Sequence, residues 1–159
     1  MSLNVFISYS HKDEEFKETL DEHLSILKRQ GLITTWNDRD IVAGTEWEEE
    51  ISTKLETADI IILLVSSSFI ASNYCYSKEV NLAIERHDRK DTLVIPIIVR
   101  RCHWDTTPFH KIQSVPTDGR PIASWENVDD GWYNAITGIK EAINKLHREK
   151  DAEKKKNNM

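Results

Sequence analysis

Residues 60–65 read Ile-Ile-Ile-Leu-Leu-Val, an unbroken apolar run closed by Asp59 before it and Ser66 after it. Side chains of a strand alternate between two faces, so a run this short without polar interruption is a strand buried on both. Burial on both faces needs covering layers above and below, as in parallel sheets flanked by helices. At 159 residues the chain has the length of one such domain.

The flanking sequence supplies the alternation that a parallel sheet requires. Val5-Phe6-Ile7 reads as a first strand ending in Ser8-Tyr9-Ser10. From about Lys12 the residues Phe16, Leu20, His23, Leu24 and Leu27 keep a 3.6-residue period, and Gly31 is a natural helix stop. Ile33 to Trp36 predicts a brief second strand, followed by a polar loop over 37–44. Thr45 with Glu48 forms a capping box for a helix whose inner side is Trp47, Ile51, Leu55 and Ala58. After the 60–65 strand, Ser66-Ser67-Ser68 turns the chain into a third helix with Tyr76, Val80, Ala83, Ile84 and His87 on one face. Leu93 to Val99 predicts another strand, and Pro96 within it favours an edge or a bulge. Periodicity is weak from Arg101 to Trp125, where Pro121-Ile122-Ala123 is a candidate short edge strand. A last helix starts at about Asp129 and carries Trp132, Ile136, Ile139, Ile143 and Leu146 on one stripe.

This order predicts an α/β fold, a doubly wound parallel sheet with helices on both faces. Ligands of such sheets bind outside the carboxyl ends of the strands, where the strand order reverses. Ser8-Tyr9-Ser10, the 37–45 loop and the 66–75 segment fall at that edge.

Several function classes are disfavoured. Apolar residues make up 39% of the chain and charged residues 30%, a globular rather than a disordered balance. No apolar run approaches the ~20 residues that span a bilayer, and Met1-Ser2-Leu3-Asn4-Val5 lacks the features of a signal peptide. The expectation is a cytoplasmic protein with no membrane partner. Cys75 and Cys102 are too few for a disulfide framework and read most simply as reduced thiols. A net charge of −6 argues against a nucleic-acid surface. Lys154-Lys155-Lys156 is diluted by Glu149, Asp151 and Glu153, and reads as a solvated helix end or the start of a linker.

Neither G-x-G-x-x-G nor G-x-x-x-x-G-K-[ST] occurs among the five glycines. No G-x-S-x-G elbow surrounds Ser66, Ser67 or Ser68, so these serines read as a capped strand-to-helix turn rather than a nucleophile. His11, His23, His87, His103, His110 and His147 show no metal-ligand spacing, and the adjacent Cys102-His103 would point to opposite faces of a strand.

Three segments read together carry a family likeness. They are Phe6-Ile7-Ser8-Tyr9-Ser10; Trp36-Asn37-Asp38-Arg39-Asp40-Ile41-Val42-Ala43-Gly44-Thr45-Glu46-Trp47; and Ser66-Ser67-Ser68-Phe69-Ile70-Ala71-Ser72-Asn73-Tyr74-Cys75, running on to Glu79. In this order and at these intervals they resemble the TIR (Toll/interleukin-1 receptor) domains of the bacterial branch. The resemblance covers roughly residues 4 to 147, giving a TIR domain over 1–147 and a charged tail or linker over 148–159. It implies a flavodoxin-like sheet of five strands. It also implies two kinds of activity: assembly with other TIR domains through the loop after the second strand and, in a subset of members, cleavage of NAD+ at the nicotinamide–ribose bond.

The resemblance assigns the catalytic carboxylate of the NAD-cleaving members to Glu79. A carboxylate there suits the chemistry, because it can stabilise oxocarbenium charge on the ribose or bind its hydroxyls. Tyr74 and Cys75 precede Glu79 by five and four residues, whereas the family commonly places an aromatic four before the glutamate. Either Cys75 and Tyr76 fill the places of the aromatic and the cysteine, or the helix start is shifted by one. By the same resemblance Ser8, Tyr9 and Ser10 approach the substrate, with Ser10 and His11 standing where some members carry arginine. Asp38, Arg39 and Trp47 belong to the substrate wall, and Trp47 is equally readable as the core anchor of its helix. Asp40, Ile41, Val42, Ala43 and Gly44 form the oligomerisation loop, with Val42-Ala43 where a proline is common.

The leading expectation is an NAD+ glycohydrolase or cyclase activated by self-assembly, with NAD+ as substrate, no further cofactor and no metal. Its partners would be other copies of the domain and a fused or associated sensor, in a setting such as bacterial immunity against phage. The alternatives are a non-enzymatic TIR interaction module using the 38–47 region and Glu48-Glu49-Glu50, and a flavodoxin-like binder of a small phosphorylated ligand.

Overall fold

The computed structural model describes residues 2–37, 53–72 and 78–158, with Lys78 and Glu79 described by their backbone alone. Four strands, β1 (Leu3–Ser8), β2 (Ile33–Asn37), β3 (Ile60–Val65) and β4 (Leu93–Ile98), form a parallel sheet in the order β2-β1-β3-β4. The register pairs Val5 with Ile60 and Ser8 with Leu63 across β1 and β3.

The apolar run 60–65 is β3, and every residue of it is buried. Ile60, Ile62 and Leu64 join one core cluster, and Ile61, Leu63 and Val65 join the other. The period-2 geometry of a strand therefore places this one sequence in two separate cores. On one face lie helix α1 (Glu14–Arg29), through Leu20, Leu24 and Leu27, and helix α4 (Val128–Asn157), through Trp132, Ile136, Ile139 and Ile143. The other face is covered by the helical residues 53–57 with Leu55 and Ala58, by α2 (Ser67–Ala71) with Phe69, and by α3 (Lys78–Asp88) with Val80 and Ala83. Each fully buried aliphatic side chain contributes roughly 1.5–3 kcal/mol, so the double-sided β3 is the strongest single anchor of the sheet.

The first helix begins as a 3-10 turn, His11–Asp13, before α1 proper. It ends at Gly31, whose φ of +71° is the left-handed conformation that glycine adopts without a Cβ penalty. His23 stacks on Trp132 with ring centroids 5.8 Å apart, so it serves the contact between α1 and α4.

Two expectations need correction. Residues 66–88 do not form one helix: α2 ends at Ala71, and Ser72 adopts extended backbone (φ −73°, ψ 148°). Nor is Pro121-Ile122-Ala123 a strand, since Ile122–Ser124 is a 3-10 turn held by Ala123 N–H donating to Val99 O. Among the described residues the sheet has four strands rather than five. The outer side of β4 instead gains an isolated parallel bridge between Ile97 and Val115.

Pro96 fits because of amide direction. Leu93 N–H donates to Asp59 O and Val99 N–H to Val65 O, so odd-numbered amides face β3. Val94 and Ile98 donate outward, to His87 Nδ1 and Val115 O. Pro96 belongs to the outward set, where its missing N–H costs the β3 ladder nothing.

Residues 148–157 continue α4 as an exposed helix end. Lys150 Nζ reaches Asp59 Oδ1 at 2.7 Å, and Asp59 Oδ2 accepts from Asn4 N–H at 2.8 Å. Among the described residues no helix is long and apolar enough to cross a membrane.

Candidate functional site

The chain runs from β1 outward to β2 and then returns to β3 on the other side of β1, so the strand order reverses between β1 and β3. The carboxyl ends of those two strands are the place where an α/β sheet opens a crevice. Ser8, the last residue of β1, is buried there, with Tyr9 and Ser10 half-buried after it. Ser10 caps the 3-10 turn: its Oγ accepts from Lys12 N–H at 3.3 Å, and its carbonyl accepts from Asp13 N–H at 2.8 Å.

Across the edge, Ser66 caps α2 by accepting from Phe69 N–H at 3.1 Å. Its hydroxyl donates to Asp13 Oδ2, so the serine is committed as a cap and a tether. Asp13 is 1% exposed. Arg100, just beyond β4, brings Nη2 to 3.1 Å from Asp13 Oδ1, an ion-pair distance without hydrogen-bond alignment. The same nitrogen donates to Ser68 Oγ at 3.0 Å. A buried carboxylate is costly unless charge and hydrogen bonds compensate it, and here both do. Burial pushes the nearby Cys102 thiol up from its ordinary range; Arg100 opposes the shift and Asp13 adds to it.

Glu79 is the second residue of α3, on the same sheet face as α2, and its side chain lies outside the described residues. So do Asp38, Arg39, Asp40, Ile41, Val42, Ala43, Gly44 and Trp47, together with Cys75 and Tyr76. Of the residues expected at the site, the structure therefore brings together Ser8, Tyr9 and Ser10. It adds Asp13, Arg100 and Ser68, which carry no periodic signal in the sequence. Nothing in the sequence pattern singles Asp13 out from the adjacent Glu14 and Glu15, and its contacts to Ser66 and Arg100 come from far along the chain.

A cavity of about 130 Å³ lies beside residues 53–57 on the face of β1 and β2, lined by Phe6, Thr35, Trp36, Lys54 and Thr57 among others. Its lining does not include Ser8, Tyr9 or Ser10. Among the described residues no group of three or more His, Cys, Asp or Glu is placed to hold a metal ion.

Comparison with known families matches residues 5–131 to the TIR domain model. The chain belongs to the TIR domain family. The TIR domain is 46% identical over 145 residues to the protein y4lF of Sinorhizobium fredii, covering 91% of this chain and 45% of that protein. A protein of Methanobrevibacter olleyae named Probable 2' cyclic ADP-D-ribose synthase TcpO is 27% identical over 93 residues, covering 58% of this chain and 26% of that one. The chain thus spans less than half the length of both relatives. Among solved structures, the TIR domain of the Toll-related receptor TRR-2 from Hydra magnipapillata superposes with a TM-score of 0.61 at 20% identity, covering 90% of this chain and 99% of that one. At that identity the likeness concerns the fold. The TIR fold accounts for the parallel sheet and for the reversal point at Ser8 to Ser10.

Proposed function

We propose that this TIR domain cleaves NAD+ at the nicotinamide–ribose bond, with Glu79 as the catalytic carboxylate. The observation that carries the reading is the similarity to a relative named as a cyclic ADP-ribose synthase. It gains support from Glu79 entering α3 beside a sheet edge of the kind that binds ligands.

In this reading the bond between ribose C1' and the pyridinium nitrogen breaks, and its electron pair leaves with nicotinamide. The leaving group is neutral once detached, so no strong general acid is required. Positive charge grows on C1' and the ring oxygen, where a carboxylate lowers the barrier. Water then adds at C1' and releases a proton to give ADP-ribose; attack by another oxygen or nitrogen of the same molecule gives a cyclic isomer. Ser8, Tyr9 and Ser10 form the floor of the pocket, and Asp38, Arg39, Trp47, Cys75 and Tyr76 contribute to its walls. Residues 40–44 join one copy to the next, so that assembly completes the pocket. A sensor attached to or associated with the domain controls assembly, in a setting such as defence against phage.

The test compares the parent protein with Glu79→Ala for nicotinamide release from NAD+, both dilute and tethered together on a surface. Release by the parent under tethering and its loss in Glu79→Ala are expected. Equal release from both, or none from the tethered parent, overturns the reading, and an interaction module without enzymatic activity replaces it.

A further inference from the structure

We infer that Asp13 is a positioning residue of this site, holding the strand-end turn in its working geometry through Ser66 and Arg100. The inference rests on the NAD-cleaving reading. Asp13 closes the 3-10 turn that follows Ser8, Tyr9 and Ser10, and its amide bonds the Ser10 carbonyl at 2.8 Å. Any displacement of Asp13 therefore moves the proposed floor of the pocket. Its carboxylate accepts from the hydroxyl that caps α2, the helix that opens the connection to α3 and Glu79. Arg100 adds the exit of β4, and its second contact, to Ser68, ties the partly exposed guanidinium to α2 as well. One side chain thus links the carboxyl-terminal exits of β1, β3 and β4.

Stability alone does not explain an ionic group at this point. An ion pair between a buried carboxylate and a half-exposed guanidinium gives little net stabilisation over a well-packed apolar replacement. What it adds is direction: a carboxylate held by a hydroxyl and a guanidinium has far less positional freedom than a methyl group in a slot. Catalysis is sensitive to such freedom, because misplacement of a reacting group by about 1 Å costs on the order of 100-fold in rate.

The experiment measures kcat and KM for NAD+ in the tethered parent, Asp13→Asn, Arg100→Lys and Ser66→Ala. Measurements are made at a temperature where circular dichroism shows every variant fully folded. For Asp13→Asn the expected result is a kcat lowered by about tenfold or more with KM within about twofold, the pattern of lost transition-state geometry. Arg100→Lys keeps the charge but replaces the planar guanidinium, whose Nη2 makes both contacts, with a freely rotating ammonium on a different stem, and is expected to fall between parent and Asp13→Asn. A parental kcat per folded molecule in Asp13→Asn, even with a lowered melting temperature, overturns the inference. If Asp13→Asn does not fold, Arg100→Lys and Ser66→Ala decide by the same kcat criterion. An inactive parent defeats the NAD reading and this role together, whereas an active parent with an unaffected Asp13→Asn defeats this inference alone.

Discussion

The backbone N–H of Val94 donates to Nδ1 of His87 at 3.0 Å, so a side chain of α3 takes the place of a strand partner on the outer side of β4. Nδ1 accepts this bond only when it carries no proton, which assigns the ring proton of the neutral imidazole to Nε2. The bond fixes the carboxyl-terminal part of α3 to the sheet, two turns along the helix from Glu79. His87→Ala leaves the amide of the buried Val94 without its acceptor and is expected to destabilise the domain by roughly 1–3 kcal/mol. His87→Gln can offer a side-chain carbonyl and should recover part of the loss. Urea denaturation of the three proteins checks both.

Arg86 acts on the same helix from the neighbouring position. Its guanidinium donates to Leu55 O, to Ala58 O at 3.3 Å and to Asp91 O at 3.1 Å, joining the end of the 53–57 helix to the turn before β4. Hydrogen bonds from a charged donor contribute about 1.5–3 kcal/mol, so Arg86→Met should lower stability by that order. Arg86→Lys, a single point charge without the fork, should recover only part. Thermal unfolding monitored by circular dichroism gives the comparison.

Cys102 provides a pH-dependent test. Burial, reinforced by Asp13 and opposed by Arg100 and a backbone hydrogen bond from Trp104, raises its thiol pKa above the ordinary value. The folded protein therefore holds the thiol proton more tightly than the unfolded chain does. Stability from this group is complete below the unfolded thiol pKa and is lost as pH rises through the folded one. In a Cys75→Ser background, alkylation by iodoacetamide at pH 8 should be slower than for free cysteine and should accelerate in urea. A folded-state rate equal to that of free cysteine contradicts the burial account.

Gly119 sits at φ +66°, and a Cβ added there would lie 2.8 Å from Cζ2 of Trp104. The backbone conformation alone costs a residue with a Cβ about 1–2 kcal/mol, and the ring contact acts in the same direction. Gly119→Ala should lower the denaturation midpoint and alter the emission of the Trp104 indole. A neutral result would mean that the 117–119 turn rearranges freely.

Local pattern determined much of this protein. The apolar run 60–65 specified a strand buried on both faces, and the spacing of Leu20, Leu24 and Leu27 specified the inner face of α1. The same was true of Trp132, Ile136, Ile139 and Ile143 in α4, and of Ser66 as a cap. These are legible because a helix or strand repeats at a fixed interval, so each residue is judged against its near neighbours. The family likeness depended equally on contiguous motifs, among them Phe6 to Ser10 at the strand end. Tertiary structure alone decided that Pro96 would be harmless, because the outward direction of its missing amide follows from which strand lies on which side. It also decided that Val115, with no strand around it, would bridge Ile97, and that Ile122–Ser124 would turn rather than extend. Above all, only folding brought Asp13 to Ser66 and Arg100. An ion pair between distant parts of a chain leaves no period to read, since its partners are chosen by the order of the strands and not by the residues beside them.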